Sequence, residues 1–308
     1  MPPAPDSILI VGTGAMACLF GGRLAPHADV TLLGTWPEGV QALRRDGIRL
    51  ETEAGESRHR IRVTSNPADV VGVRHALVLV KSWQTRRAAR QLADCLAPEG
   101  VVLTLQNGLG NLDVLVQVLG SDRAALGVTT SGATLLGPGR ARAGGAGPVY
   151  LAPHPRLVPI ADLLRASGFA VEEAPDVEGL LWGKLAVNAA INPLTALLQV
   201  PNGELLERPH ARELMAAAAM EVADVAAAMG IDLPMGRPDE QGLEVARRTA
   251  ANRSSMLQDV ARQAPTEIDA ICGAVVDFGR RKGVATPVNF ALWSMVRALV
   301  DGWQRAAP

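Results

Sequence analysis

The first half of the chain alternates short apolar runs with amphipathic stretches, the order expected of strands joined by crossover helices in a mostly parallel sheet. Strands are predicted over 8–11, 30–33, 76–80, 101–105 and 124–129. The glycine-rich segment 137–147 reads as loops or hairpins, with edge strands at 149–152 and 169–172. From about Pro175 the apolar period becomes helical. Over 211–229, Leu214, Met215, Ala218, Val222, Val225 and Met229 share one helical face, and Gly230 stands where a C-cap is expected. Further helices are predicted over 239–251, 267–281 and 288–303. The pattern implies an α/β domain over 1–175, built on a doubly wound, mostly parallel sheet, and an all-helical C-terminal domain over 176–308.

One helical stretch departs from simple amphipathicity. In 181–194, Lys184, Asn188 and Asn192 recur every four residues, so each advances only about 40° around the helix, and together they form a polar stripe roughly 12 Å long. Leu181, Leu185, Ala186, Val187, Ala189, Ala190 and Ile191 leave little of the remaining surface for water. A row of hydrogen-bonding groups in such a helix is expected to line a binding site. A local alternative exists for the asparagines: each can bond backbone groups of its own helix, and Asn192 precedes Pro193, which is expected to break or kink the helix and free carbonyls.

Composition narrows the partner. With 48% apolar residues and a net charge of −1, the chain can bury large cores but offers no electrostatic footprint for nucleic acid or a membrane surface. A small molecule is the expected ligand. Cys18, Cys95 and Cys272 are too scattered for a disulfide framework, which fits a reducing compartment. No apolar run reaches the roughly 20 residues of a membrane span, and Met1–Asp6 carries no positive region of a secretory signal. These features together imply a soluble, cytoplasmic protein. A monomer or a homodimer is expected, the alanine-rich helices suiting an ordinary core as well as an interface. His27, His59, His75, His154 and His210 are dispersed, without metal-ligand or triad spacing. Only Lys81, Lys184 and Lys282 are lysines among the 30 basic residues. Unlike arginine, a lysine can give up its proton when its pKa is lowered.

The predicted first strand runs straight into Gly12-Thr13-Gly14-Ala15-Met16-Ala17, a dinucleotide fingerprint of the form Gly-x-Gly-x-x-Ala. Gly12 makes the tight turn, Gly14 lets a pyrophosphate approach the backbone, and Ala17 permits close helix–strand packing. The second strand ends at Leu33-Gly34-Thr35-Trp36, where neither the acid that marks an NAD enzyme nor an arginine for a 2′-phosphate stands. Thr35, with Arg44 or Arg45, can serve a 2′-phosphate, so NADP is favoured and NAD remains possible. Lys81 and Asn107 follow two further strands, at the end of the sheet where such folds bind ligands. Asn107-Gly108 is also an ordinary turn sequence.

With the fingerprint, Val80-Lys-Ser-Trp-Gln84, Gln106-Asn-Gly-Leu-Gly110, the segment from Trp182 to Leu194, Pro201-Asn-Gly203, Asn252 to Asp259 and Thr266-Glu-Ile-Asp269, the chain resembles the ketopantoate reductase (2-dehydropantoate 2-reductase) family over nearly its full length. The resemblance implies an N-terminal Rossmann domain that carries NADPH and a helical domain that completes the active site for a 2-oxo acid substrate. It makes Lys184 the proton donor and substrate anchor, with Asn188, Asn192, Asn202, Asn252 and Ser255 in the substrate site, Ser255 near the carboxylate. Lys81, Asn107, Ala133 and Glu267 match cofactor-contacting positions. Glu267 also suits a helix first turn regardless of function. Thr35 departs from the arginine common in the family, which keeps in view an NAD-dependent dehydrogenase of another branched or aromatic 2-hydroxy acid. A noncatalytic nucleotide-binding regulator would need only the first half of the chain.

Overall fold

A computed structural model describes residues 7–234 and 236–306; Met1–Asp6, read above as carrying no signal, lie outside the described residues. The chain divides into two compact units, one of 1–106 and 111–177, the other of 107–110 and 178–308.

The first unit runs β1 (Ser7–Val11), α1 (Ala15–Leu24), β2 (Asp29–Leu33), α2 (Pro37–Asp46), β3 (Ile48–Thr52), β4 (Gly55–His59), β5 (Arg62–Thr64), β6 (Val73–Val78), α3 (Thr85–Cys95) and β7 (Leu96–Thr104). It continues with α4 (Asn111–Leu119), β8 (Ala124–Thr129), β9 (Ala133–Gly137), β10 (Arg140–Ala143), β11 (Val149–Leu151), α5 (Val158–Ala166) and β12 (Val171–Glu173). Eight strands form one sheet in the order β12-β11-β8-β7-β6-β1-β2-β5, parallel except for β11 against β8. The alternation of β1 explains the double winding. Ile8 and Ile10 pack with Phe20 and Leu24 of α1 on one face, whereas Leu9 and Val11 pack with Leu92 of α3 and Leu115 of α4 on the other.

Several sequence expectations change. The strand predicted over 76–80 ends at Val78, so Leu79 and Val80 are already part of the loop that leads to Lys81. The segment at 149–152 is not an edge: β11 lies between β8 and β12, which explains its buried Val149 and Leu151. A second sheet, β4-β3-β10-β9, was not predicted. Its local signal is present in the alternation Ile48-Arg-Leu50-Glu and the Gly55 turn. The parallel pairing of β10 with β3, between segments remote in sequence, has no local signal.

In the second unit α6 (Val177–Leu198), α7 (Pro209–Met229), α8 (Pro238–Arg248), α9 (Ser255–Ala261), α10 (Ala274–Lys282) and α11 (Pro287–Ala306) surround an apolar core centred on α6. Trp182, buried among them, meets Phe278 edge-on at 5.6 Å. The helix α7 ends at Gly230 in a left-handed cap, φ 77°. Met215, Ala218, Val222 and Val225 face inward as expected, but Leu214 is exposed. Pro193 does not end α6, which continues through it to Leu198. The Thr195 hydroxyl lies 3.0 Å from the carbonyls of both Ile191 and Asn192, an ordinary back-bond within the helix just after the proline. Among the described residues no helix is long and apolar enough to cross a membrane.

Candidate active site

The glycine turn behaves as its sequence requires. Gly12 adopts φ 139°, and a Cβ there would stand 3.1 Å from the Leu79 carbonyl oxygen. A Cβ at Gly14 would meet nothing within 4 Å, so the backbone there is open to a ligand. The α1 N-terminus has no side-chain cap and no acid in its first turn, leaving amides for an anion. Ala17 is fully buried, as close helix–strand packing demands. Thr13 differs from its neighbours: its side chain is buried over Gly34, where any Cβ would clash with the Thr13 methyl. Ala15 and Met16 are half-buried in the first turn of α1, and Ala133 is half-buried at the start of β9. Lys81 is half-buried and leads into a single 3₁₀ turn, Ser82–Gln84.

At the end of β2, Thr35 lines an open cavity of about 740 Å³ with Arg44, Arg45 and Ser65. The Arg44 Nε donates to the Val63 carbonyl at 3.1 Å, which fixes the guanidinium beside this cavity. Arg45 is engaged with Asp46 at 2.9 Å.

The second unit gathers the other predicted residues. Lys184 and Asn188 are half-buried on α6, and Asn192 is buried. Burial lowers the Lys184 pKa to about 8, and the carboxylate of Glu267 acts in the opposite direction. Glu267, 5% exposed, precedes a single π turn, Asp269–Gly273, that opens into α10; the expected helix over 267–281 therefore starts two residues later, at Asp269, and with wider winding. The Asn107 amide lies 3.5 Å from a Glu267 carboxylate oxygen, so residues predicted from three separate motifs converge on one carboxylate.

Loop 107–110 is held to this π turn by its backbone. The Leu109 amide donates to the Ala270 carbonyl at 2.9 Å, and Gly108, at φ 79°, is so close that a Cβ would stand 2.5 Å from the same oxygen. Gly108→Ala is therefore expected to cost about 2–3 kcal/mol of stability. Urea unfolding checks this; an unchanged midpoint would mean the loop yields without cost.

The remaining expected residues divide. Asn202 is buried, its Nδ2 donates to the Thr249 hydroxyl at 2.9 Å, and its Oδ1 is buried with no hydrogen-bond partner among the described residues. The Thr249 hydrogen is directed to the Val245 carbonyl at 2.7 Å, so this amide orientation is self-consistent. Asn252 is exposed, and its backbone carbonyl accepts from the Asn202 amide at 2.9 Å. Ser255 is half-buried at the first position of α9. The sequence reading missed its neighbour Ser254, whose hydroxyl caps α9 by accepting from Leu257 N at 3.0 Å and meets the Thr195 hydroxyl at 2.7 Å, tying α9 to α6. A serine just before an apolar helical run was the available signal.

A lysine whose pKa burial lowers toward 8, acted on by a carboxylate and with amides on the same helix, suits proton transfer to an oxygen of a bound polar molecule. The chain is similar to known proteins over both of its halves. The family description "Ketopantoate reductase PanE/ApbA" matches residues 8–156, and "Ketopantoate reductase PanE/ApbA C terminal" matches 176–300. The 2-dehydropantoate 2-reductase of Pyrobaculum aerophilum is 39% identical over 94% of this chain and 96% of its own. The crystal structure of a PanE/ApbA family ketopantoate reductase from Ralstonia eutropha superposes with a TM-score of 0.90 at 34% identity, covering 97% of this chain and 99% of that one. A D-mandelate dehydrogenase solved with NADH and anilino(oxo)acetate also reaches 0.90, at 27% identity over 96% and 98% of the two chains. With both halves matched in order and the likeness running nearly end to end, the chain belongs to the ketopantoate reductase family.

Proposed function

We propose that the protein reduces 2-dehydropantoate to (R)-pantoate with NADPH, a step toward pantothenate and coenzyme A. The observation that carries this reading is Lys184, an amine poised near pH 8 beside buried Glu267 in a chain of this family. When bound, the reduced nicotinamide supplies a hydride to the 2-oxo carbon. The ammonium of Lys184 stabilises the charge that develops on the former carbonyl oxygen and gives it a proton, leaving a neutral amine. Burial makes that release feasible, because the neutral form is the one favoured by desolvation. Asn188 and Asn192 offer donors and acceptors to substrate hydroxyls, and the unpartnered Oδ1 of Asn202 is an acceptor for another. Asn252 and Ser255 complete the substrate site in this reading, with Ser255 toward the carboxylate. The turn from Gly12 to Ala17 fits a pyrophosphate, because its backbone amides are uncapped and a side chain is absent where one would block approach. Lys81, Asn107, Ala133 and Glu267 are assigned to the same cofactor.

Thr35 and Arg44 are assigned to the 2′-phosphate. Arg44→Ala is expected to weaken NADPH roughly tenfold, the loss of one charge-assisted contact, while NADH changes less than twofold. Fluorescence titration with both nucleotides measures this, and an unchanged ratio would move the phosphate away from Arg44. A second reading, an NAD-linked dehydrogenase of another 2-hydroxy acid, is favoured by the uncharged Thr35 and by the likeness to a D-mandelate dehydrogenase solved with NADH. Oxidation of NADPH and NADH by the purified protein with 2-dehydropantoate separates the two. Rapid consumption of NADPH supports the first; consumption of NADH only with a different 2-oxo acid supports the second.

A further inference from the structure

In the first unit, β6 and β7 lead to the loops that carry Lys81 and Asn107, and a polar cluster is buried beneath their ends. Thr85 and Thr104 are each 1% exposed, Asn111 6% and Gln106 7%. Polar side chains at this depth must be mutually satisfied or they destabilise the fold. Here the contacts close on one another. The Gln106 Nε2 donates to the Val80 carbonyl at 2.9 Å and to the Thr85 hydroxyl at 2.8 Å, while its Oε1 accepts from the Thr104 hydroxyl at 3.0 Å. The carbonyl of Val80 can only accept, so it fixes which end of the amide carries the hydrogens. Thr85 has a single hydrogen for two acceptors, the Ser82 carbonyl and Asn111 Oδ1, both at 2.8 Å.

The placement of these bonds gives the cluster its meaning. Val80 and Ser82 flank Lys81; the Val80 carbonyl is held by Gln106, and the Ser82 carbonyl shares the Thr85 hydroxyl hydrogen with Asn111 Oδ1. On the other side of the same segment, Gly12 leaves only 3.1 Å between a would-be Cβ and the Leu79 oxygen, and 3.4 Å to Val80 N. The backbone before and at Lys81 is therefore clamped between the glycine turn and the amide of Gln106. Fold stability alone does not require this, since an apolar cluster of similar shape would serve about as well. A clamp on both carbonyls around one lysine instead sets where that lysine projects.

We propose that Gln106 and Thr85 are positioning residues for cofactor binding, forming a buried hub that fixes the Val80–Ser82 segment, and with it Lys81, against the Gly12 turn. The proposal rests on the reading that Lys81 contacts the nicotinamide cofactor. Thr85→Val keeps the shape of the side chain but removes the hydroxyl, and Thr85→Ser restores it. Dissociation constants for NADPH and NADH, measured by fluorescence without substrate, are expected to rise about tenfold in Thr85→Val for whichever nucleotide the wild type binds, and to stay within twofold in Thr85→Ser. In turnover, the KM for the cofactor should rise while kcat at saturation changes less than twofold. Ile160→Val, on the buried face of α5, serves as a comparison that lowers the melting temperature without touching the hub. If Thr85→Val does not fold, Gln106→Met tests the hub through its other member, with the same expected loss. Wild-type affinity in the folded variant, or equal loss in Ile160→Val, overturns the proposal. A wild type that binds neither nucleotide would instead remove the cofactor reading itself, and the hub's proposed role with it.

Discussion

Lys184→Ala is expected to lower the rate of 2-oxo acid reduction about 10³-fold, in the middle of the range for loss of a general acid, while nucleotide affinity changes little. Its pH dependence carries the sharper test. The Lys184 pKa is lowered from 10.5 to about 8, chiefly by burial. Below that pH the amine holds the proton that reduction consumes; above it the proton is gone, so kcat/KM for reduction should be level under about pH 8 and fall tenfold per unit above it. For oxidation of the hydroxy acid the sign reverses, because a neutral amine must accept the proton, and the rate should rise toward a plateau above the same pH. Glu267→Gln removes the charge that holds the pKa up, so the alkaline fall should begin at lower pH. Lys184→Arg preserves the positive charge but cannot release a proton in this range; it should be nearly inactive and lose the alkaline limb. Stability is a separate matter. A desolvated amine contributes unfavourably below its folded pKa, so Lys184→Met is expected to melt no lower than wild type. Initial rates between pH 6 and 10 in both directions decide the matter: an unchanged rate in Lys184→Ala, or a limb that persists in Lys184→Arg, would remove this lysine from the acid role.

Glu221→Ala is expected to produce the largest loss of stability among single substitutions remote from the candidate site. Glu221 on α7 is buried, and its two carboxylate oxygens accept from Val288 N at 2.7 Å, Asn289 N at 2.8 Å and Asn289 Nδ2 at 2.8 Å. It thus caps the first turn of α11 from another helix, placing negative charge where the amides at a helix start lack partners. Truncation leaves the buried Asn289 amide, the part-buried Val288 amide and one hydrogen of Asn289 Nδ2 without the carboxylate, although that Nδ2 keeps the Ala218 carbonyl at 3.0 Å, at a cost of about 3 kcal/mol, or a fall of roughly 6–12 °C in melting temperature. Glu221→Gln, which keeps one acceptor, should lose about half as much. Calorimetry or urea unfolding measures the difference, and a melting temperature within 2 °C of wild type for Glu221→Ala would show that water replaces the carboxylate at little cost.

The features read correctly from sequence share one property: their cause lies within a few residues. The turn at Gly12 and Gly14 follows from backbone sterics at a strand-to-helix junction, and the Lys184-Asn188-Asn192 stripe follows from 3.6 residues per turn. The left-handed cap at Gly230 belongs to the same class. The errors are instructive for the same reason. Asn192-Pro193 carries a local signal for a helix break, yet α6 runs through it, its turns around the proline buried in the apolar core. Leu214 fits the apolar period of α7 and is nonetheless exposed, because period alone does not say how wide a face its neighbours cover.

The alternation of strands and helices, the tight glycine turn after β1 and a lysine in a polar stripe were thus legible along the chain, all products of local sterics and periodicity. Only the tertiary structure decided that Glu267 acts on Lys184, that loop 107–110 is held to the π turn at Ala270, that Gln106 meets Thr85, and that Glu221 caps α11. Those partners are remote along the chain, and no local rule selects them. They are chosen when packing buries a polar group and leaves it one place to find its hydrogen bond.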